Sequence, residues 1–222
     1  MIYGRLVSKF NVNYGIVLRI RIEEPIKIMP GQYMAIIIPN KAQLFTYIYN
    51  FSDYENVIEL YIQGQRRAII ESIPINKRIL LEGPLGLPIK ISGSKVLALA
   101  CEKEIYKIQY IINYMKNIGL NMDIVCLDIE DKVKDPEVLK QIVSHDIIIA
   151  VFPKRVIKEL KKLFTYANIS SITKIYVLID WVGFNCMRGV CDVCAFNGVL
   201  PCFEGPFIDI NKIKLDDSVG ER

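Results

Sequence analysis

The sequence predicts a β-barrel, then an α/β domain, then a C-terminal segment rich in cysteine. Short alternating strands bounded by turn residues fill residues 1–92, which is typical of a small barrel or sandwich. Strands alternate with helical patterns over residues 93–180, which predicts a parallel sheet covered by helices. The remaining segment, 181–222, holds four of the six cysteines of the chain.

Length and composition set the first limits on function. The chain has 222 residues, 52% of them hydrophobic and 23% charged, which is enough apolar material for a sizeable core. The net charge is only +4, and no dense run of Lys and Arg interleaves with aromatics, which argues against nucleic-acid binding. No apolar run approaches the roughly 20 residues of a membrane span, and the N-terminus does not resemble a signal peptide. We therefore expect a cytoplasmic protein, in which clustered cysteines bind metal or act in redox chemistry.

The first domain contains strands and one helical element. Alternation of apolar and polar residues, together with Pro-Gly turns, marks each strand. The predicted strands are GIVLRIRIEE (15–24), PGQYMAIIIP (30–39), NVIELYIQG (56–64) and RILLEGPLG (78–86). The stretch RRAIIESI, beginning at Arg66, predicts one or two helical turns.

The second domain has the alternation of strands and helices that is typical of a nucleotide-type fold. Apolar strands KVLALAC, NMDIVCLD, DIIIAVF and KIYVLID alternate with helices. The helix after the first strand has apolar residues at helical spacing and ends at Gly119. Asp135 is predicted to cap the next helix with Pro136 at its first position, and Pro153 opens the last one.

The cysteine segment has the pattern C-x4-C-x2-C-x7-C. Its first three cysteines match the plant-type 2Fe–2S loop, in which soft thiolates bind iron and a fourth cysteine follows. Gly189 fits a backbone that passes too close to a cluster for a Cβ. Zinc is an alternative, although only Cys191 and Cys194 form a C-x2-C knuckle, and a disulfide pair is another. The other two cysteines, Cys101 and Cys126, are predicted to be buried core thiols.

Four stretches resemble the ferredoxin-reductase-like family, and within it the electron-transfer subunits of type B dihydroorotate dehydrogenases. They are PGQY (30–33), EGPLG (82–86), CMRGVCDVC (186–194) and CFEGPFID (202–209). The resemblance implies a 2Fe–2S cluster bound by Cys186, Cys191, Cys194 and Cys202. It also implies FAD on the barrel, NAD on the second domain, and a heteromer with an FMN-containing catalytic subunit that acts in pyrimidine biosynthesis.

The FAD motifs of that family are altered in this chain. Its Arg-Pro-x-Ser/Thr stretch corresponds to Thr46, Tyr47, Ile48 and Tyr49, and its Gly-Thr pair corresponds to Arg66 and Arg67. The two arginines could bind a pyrophosphate, dock an acidic partner, or form a solvated helix face. The sequence leaves open whether FAD is retained.

The NAD motifs are altered further. A glycine-rich turn after the first strand of the second domain would receive the pyrophosphate, but the chain has Cys101-Glu102-Lys103-Glu104 there. The Cys-Gly-Pro near the nicotinamide is replaced by Val151-Phe152-Pro153. We therefore predict that the chain binds neither NAD nor NADP.

The sequence thus predicts an accessory electron-transfer subunit without a catalytic acid or base of its own. Electrons would pass from the FMN of the partner through the cluster to an external acceptor other than NAD. The alternatives are the same role in a hydrogenase or sulfide-type reductase, and a zinc-stabilised scaffold without enzymatic function. His145 is predicted to be structural, and Trp181 either shields the cluster or packs in the core.

Overall fold

A computed structural model describes residues 1–39, 42–64, 67–126, 135–170 and 172–214. Within these ranges, no helix combines the length and the apolar character needed to cross a bilayer.

The first half of the chain is a closed antiparallel barrel of six strands. The strands follow one another around the barrel in the order β1-β2-β5-β4-β3-β6, and β6 pairs with β1 to close it. Inward positions alternate with outward ones, as in the buried-exposed pattern of β1. The strands are β1 Ile2–Val12, β2 Gly15–Ile22, β3 Tyr33–Ile38, β4 Ala42–Ser52, β5 Val57–Gln63 and β6 Arg78–Leu85.

One short helix, α1 Arg67–Glu71, follows β5 where helical turns were predicted. Its Ile70 is fully buried in the barrel core. Lys9 of β1 donates to the carbonyls of Glu71 and Ile73 at 2.7 and 2.8 Å, so the end of the helix is held to the barrel wall.

The second half is a five-stranded sheet in the order β11-β10-β9-β7-β8. Strands β7 to β10 pair in parallel, and β11 joins β10 in the antiparallel direction. Because helices or the barrel cover both faces, the central strands are apolar throughout. The strands are β7 Lys95–Ala100, β8 Asn121–Cys126, β9 Ile147–Val151, β10 Lys174–Leu178 and β11 Phe207–Asp209, and the helices are α2 Gln109–Asn117, α3 Pro136–Val143, α4 Ile157–Tyr166 and α5 Pro201–Glu204.

The two faces of the sheet have separate cores. One face packs against α3 and α4. The other packs against α2, the outer wall of the barrel and the cysteine segment, so that these parts share one core. The cysteines therefore lie where the barrel meets the sheet.

Three local features differ from the prediction or refine it. The helix expected after β7 begins as a 3-10 helix, Glu102–Ile108, before α2 continues to Asn117. The cysteine segment supplies β11, an additional strand of the sheet that the sequence pattern did not reveal. The predicted cap is confirmed, because Asp135 accepts from Glu137 N–H at 3.0 Å with Pro136 at the first helical position. The predicted boundaries at residues 92 and 180 stay predictions.

Candidate metal centre

The four cysteines of the C-terminal segment come together as two pairs. The thiols of Cys186 and Cys191 contact each other, and so do those of Cys194 and Cys202. Cys202 is also close enough to interact electrostatically with Cys186. Among the described residues, no three His, Cys, Asp or Glu side chains form a single group able to hold one metal ion. The arrangement is thus two thiol pairs rather than one tetrahedral cage.

Backbone N–H groups surround the first pair. The N–H of Arg188 lies 3.5 Å from Cys186 Sγ, and those of Val190 and Cys191 also bond to it. These hydrogen bonds, that of Arg188 first, lower the pKa of Cys186 to about 6. A thiolate at this position is therefore stabilised before any metal binds.

The second pair lies in the interior. Cys194 and Cys202 are each 1% exposed, whereas Cys186 and Cys191 are half-buried. Burial raises the pKa of Cys202 to about 12, with Cys194 adding to the effect and the N–H of Gly189 opposing it. A cation bound to the sulfurs would offset this cost of burying charge.

The loop turns sharply at residues with positive φ. Met187, Gly189 and Asp192 have φ of 55°, 72° and 53°, which directs successive N–H groups inward. A Cβ on Gly189 would lie 2.9 Å from the Cβ of Phe203. Glycine is required here as predicted, but the observed obstacle is the side chain of Phe203.

Hydrogen bonds and an ion pair join the cysteine segment to the barrel. Tyr33 donates its hydroxyl to the carbonyl of Cys202 at 2.8 Å. Arg188 donates to the carboxylate of Glu82 at 2.6 and 3.0 Å.

Another contact between the cysteine segment and the end of β6 joins two glycines. A Cβ on Gly86 would lie 2.6 Å from the Cα of Gly205, so the two backbones touch. The four stretches on which the family resemblance rests therefore meet at one place.

The residues predicted to bind FAD do not share one surface. Thr46 faces the barrel interior and donates to the carbonyl of Met34 at 2.9 Å, and Ile48 belongs to the barrel core. Tyr47 and Tyr49 face the other way, toward the sheet. The period-two alternation of β4 separates them.

The predicted arginines offer no described phosphate site. Arg66 lies outside the described residues. Arg67 donates to Glu71 and Asn11 at 2.6 and 3.1 Å, so its guanidinium is already engaged.

A partly buried ionic network that the sequence did not reveal lies between the barrel and the sheet. Lys107 donates to Asp180 at 2.5 Å and pairs with Glu104, while the Tyr47 hydroxyl donates to Asp180. Burial alone would lower the pKa of Lys107, but the Asp180 and Glu104 carboxylates outweigh it and raise that pKa. The ammonium also lies 5.4 Å from the centre of the Tyr47 ring. Glu104 lies in the first turn of the 3-10 helix Glu102–Ile108 and pairs with Lys107 from that position.

Two spaces of different size border this network. An open cleft of about 500 Å³ includes Gln63, Gly64 and the charged side chains of Lys107 and Asp180 in its lining. In a second space, where Tyr47, Ile48 and Lys107 meet Phe207, only about 10 Å³ is free.

Aromatic rings in contact connect the lining of the cleft with the cysteine segment. Phe184 precedes Cys186 by two residues, and its ring centre lies 4.5 Å from that of Phe45. The ring centre of Phe45 lies in turn 4.8 Å from that of Tyr47. The rings form a continuous series of contacts from Tyr47, which lines the cleft, to Phe184 in the cysteine segment.

The end of β7 differs from a phosphate-binding turn. Glu102–Ile108 forms a 3-10 helix directly after Cys101 and packs against β4. The first turn of this 3-10 helix carries the carboxylates of Glu102 and Glu104, at the sequence position where the resembled family has its phosphate-binding turn. Phe152, which replaces the family glycine before Pro153, is buried on the opposite face of the sheet.

The remaining predicted residues have structural surroundings. Trp181 packs edge-on against Phe196 in the core on the α3–α4 face, away from the core that contains the cysteines. The His145 ring bonds to the carbonyl of Gln141 at 2.6 Å and to Asp123 at 2.9 Å, a structural role. The prediction that Cys101 and Cys126 are buried was wrong, because Cys101 is half-buried and Cys126 is exposed on the edge strand β8.

Comparison with known proteins identifies the fold. No family model and no curated protein sequence match the chain. A chain of an NADH-dependent reduced ferredoxin-NADP oxidoreductase, a structure that gave insight into flavin-based electron bifurcation, has a TM-score of 0.72 at 17% identity, over 95% of this chain and 89% of that one. The chain has the ferredoxin-reductase fold. The predicted fold class is therefore confirmed.

Two reductases match over a shorter part of their length. Phthalate dioxygenase reductase, a modular structure for electron transfer from pyridine nucleotides to 2Fe-2S, has a TM-score of 0.57 at 11% identity, over 79% of this chain and 66% of that one. The ferredoxin reductase of carbazole 1,9a-dioxygenase, in its FAD apo form, has a TM-score of 0.60 at 15% identity, over 79% and 64%. At these identities the likeness concerns the fold alone.

Proposed function

We propose that the chain is the accessory electron-transfer subunit of a dihydroorotate dehydrogenase. Cys186, Cys191, Cys194 and Cys202 would hold a 2Fe–2S cluster. The observation that carries the proposal is the meeting of two thiol pairs where the barrel and the sheet of a reductase fold join. Bound there, the cluster would supply one-electron transfer between the FMN of a catalytic partner and an external acceptor.

The donor set fits a dinuclear cluster better than zinc. Two thiolates for each iron require two pairs, whereas structural zinc requires four ligands around one point. The N–H groups of Arg188, Val190 and Cys191 suit thiolate sulfurs that carry excess negative charge. An outer-sphere relay also needs no acid, base or nucleophile from this chain.

The surface beside the loop suits a protein partner. Val190, Val193 and Phe203 are 77%, 54% and 57% exposed next to the half-buried Cys186 and Cys191. An apolar rim of this kind is typical of interaction sites. The identity of the partner is supported by the resemblance of CMRGVCDVC and CFEGPFID.

FAD does not fit the positions that the family uses. Thr46 and Ile48 point into the barrel, Arg67 is engaged, and Lys107 lies over the ring of Tyr47. We infer that the chain works without its own flavin.

NAD does not fit the end of β7. Two carboxylates and a 3-10 helix replace the glycine turn that would let backbone N–H groups reach a pyrophosphate. The acceptor would accordingly be something other than NAD.

The direct test uses the chain co-purified anaerobically with its natural partner. We expect stoichiometric FMN, and we expect dihydroorotate to bleach the visible absorption of the cluster, which NAD would not restore. The matched control, the same complex with Cys194→Ala, should keep FMN reduction and lose the bleaching. Reduction by hydrogen or sulfide instead of dihydroorotate would assign the chain to another oxidoreductase, and a colourless zinc protein would contradict electron transfer altogether.

A further inference from the structure

The edge of the sheet at β8 is open to pairing with another strand. Among the described strands, β8 is the last in the order β11-β10-β9-β7-β8 and pairs with β7 alone. The N–H and C=O groups of every second residue of β8 therefore point away from the sheet. The cysteine segment contributes β11 at the opposite edge, so the β8 edge is separate from the candidate metal centre.

Strand β8 lacks the features that usually protect an edge strand. Such strands carry lysine or proline, are interrupted by bulges, or expose unpaired charges. Residues Asn121–Cys126 contain neither lysine nor proline, and they pair with β7 one for one without a bulge. Their one charged side chain, Asp123, is paired with the His145 ring at 2.9 Å. The edge therefore presents little that would repel a second strand.

An apolar row follows one face of β8. Alternate residues of the strand lie on the same face of the sheet as α2, opposite apolar residues of β7. They are Met122, Ile124 and Cys126. Ile124 is 42% exposed and Cys126 is also exposed, so α2 covers this row incompletely. Packing the row against other apolar side chains would remove this surface from water.

The geometry of antiparallel strands limits how β8 can pair with a copy of itself. Two residues directly opposite each other either both point their N–H and C=O groups toward the partner or both point them away. Because these groups alternate along a strand, even-numbered residues lie opposite even-numbered ones, and the two-fold axis passes beside one residue and its copy. Axes beside Asp123 and Ile124 give the longest overlaps, over residues 121–125 and 122–126.

The side chains favour the axis beside Ile124. An axis beside Asp123 would place two carboxylates directly opposite each other, which is unfavourable. An axis beside Ile124 places Ile124 against its copy and Met122 against Cys126 of the other copy. The apolar row then continues across the contact without a charge in it. A second copy supplies this matching row by symmetry, which an unrelated strand does not.

We propose that two copies of this chain associate through antiparallel pairing of their β8 strands, about a two-fold axis beside Ile124. The two five-stranded sheets then form one continuous sheet. A contact made chiefly by residues 122–126 is smaller than a standard interface of about 20–30 residues a side, so association is reversible and depends on concentration.

The first test introduces a thiol opposite the native Cys126. In the proposed dimer, residue 122 of one copy lies opposite Cys126 of the other, at a Cα separation of about 4.5–5.5 Å that suits a disulfide. Within one chain the two positions are about 13 Å apart along the strand, which is too far to link. The purified full chain with Met122→Cys, treated with diamide, should therefore form an intermolecular disulfide to Cys126, identified by peptide mass spectrometry.

Two controls make this test specific for the register. Leu120→Cys places a thiol two residues before Met122, which is not opposite Cys126 in the proposed register. The wild type keeps Cys126, which would lie opposite Met122 rather than its own copy. Neither should form a disulfide through Cys126. A disulfide in Leu120→Cys, or none in Met122→Cys, would overturn the inference.

The second test removes the association by charge. Ile124→Lys places two ammonium groups opposite each other at the axis and should abolish the dimer. Ile75→Lys, at a barrel residue that is 46% exposed against 42% for Ile124, is the matched control and should associate like the wild type. Sedimentation velocity over a concentration series measures association, and circular dichroism verifies that each variant is folded.

A wild type that stays monomeric throughout the series, or an Ile124→Lys variant that associates as the wild type does, would contradict the inference. Neither readout requires bound iron or electron transfer. A negative result here therefore leaves the proposed function standing, and a failure of the proposed function leaves this inference standing.

Discussion

The hydroxyl of Tyr33 donates to the carbonyl of Cys202 across 169 residues of sequence, at 2.8 Å in the buried interior. Tyr33 begins β3 in the barrel, and Cys202 lies in α5, the helix that carries the fourth cysteine. The barrel thus positions a thiol that belongs to the other half of the chain.

Replacing Tyr33 with phenylalanine tests this contact. Tyr33→Phe leaves the buried Cys202 carbonyl without its donor, which we expect to cost about 1–3 kcal/mol. Denaturant unfolding measures the loss, and the rate of iron release to a chelator should rise. Tyr54→Phe, at a residue that is 99% exposed, is the control and should match the wild type. Unchanged stability and iron release in Tyr33→Phe would show that the contact does not hold α5.

The contact between Gly86 and Gly205 predicts a steric effect. Gly86→Ala places a Cβ 2.6 Å from the Cα of Gly205 and should displace the segment after Cys202. Gly119→Ala is a matched control, since Gly119 has nearly the same φ, 78° against 77°, but nothing within 4 Å of its Cβ. We expect only Gly86→Ala to lose bound iron, measured per folded chain. Equal iron in both variants would argue against this role of the contact.

The ionic network predicts a large effect from a single lysine. Lys107→Met leaves Asp180 and Glu104 as partly buried carboxylates without their cation, which we expect to cost about 1–3 kcal/mol. Lys116→Met, at the exposed end of α2, serves as the control. Denaturant unfolding measures the free energy of unfolding of both variants. A decrease of less than about 1 kcal/mol for Lys107→Met would mean that the network is not formed.

The same lysine predicts a loss of stability at high pH. The pKa of Lys107 is raised in the folded protein, so its contribution is complete below its unfolded pKa of about 10.4. That contribution is lost as the pH rises through the higher folded value. Unfolding free energies measured from pH 9 to 12 should fall more steeply for the wild type than for Lys107→Met. Parallel curves would contradict the assignment.

The altered cofactor positions predict that nucleotides do not bind. Titration of the purified chain with FAD and with NADH, followed by fluorescence, should show no saturable binding at micromolar concentration. Lys107→Ala tests whether the ammonium over the Tyr47 ring excludes a flavin ring, and a gain of FAD binding is the expected sign. Micromolar FAD binding by the wild type would contradict the account of the barrel site.

The sequence predicted those features that depend on local pattern. Period-two strands, helical spacing, the Asp135 cap and the spacing from Cys186 to Cys202 all operate over short stretches. The Tyr47–Asp180 and Lys107–Asp180 contacts span 133 and 73 residues, so only the folded chain brings them together. Cys126 was expected to be buried because its strand is apolar, but β8 is the edge of the sheet and is incompletely covered.

Metal and sulfide analysis of the anaerobically purified complex, with its absorption spectrum, tests the central claim most directly. The account predicts two iron and two acid-labile sulfide per chain, visible bands that bleach on reduction, and loss of iron in Cys194→Ala. One zinc per colourless chain, without sulfide, would contradict it and leave a structural metal site in a reductase fold.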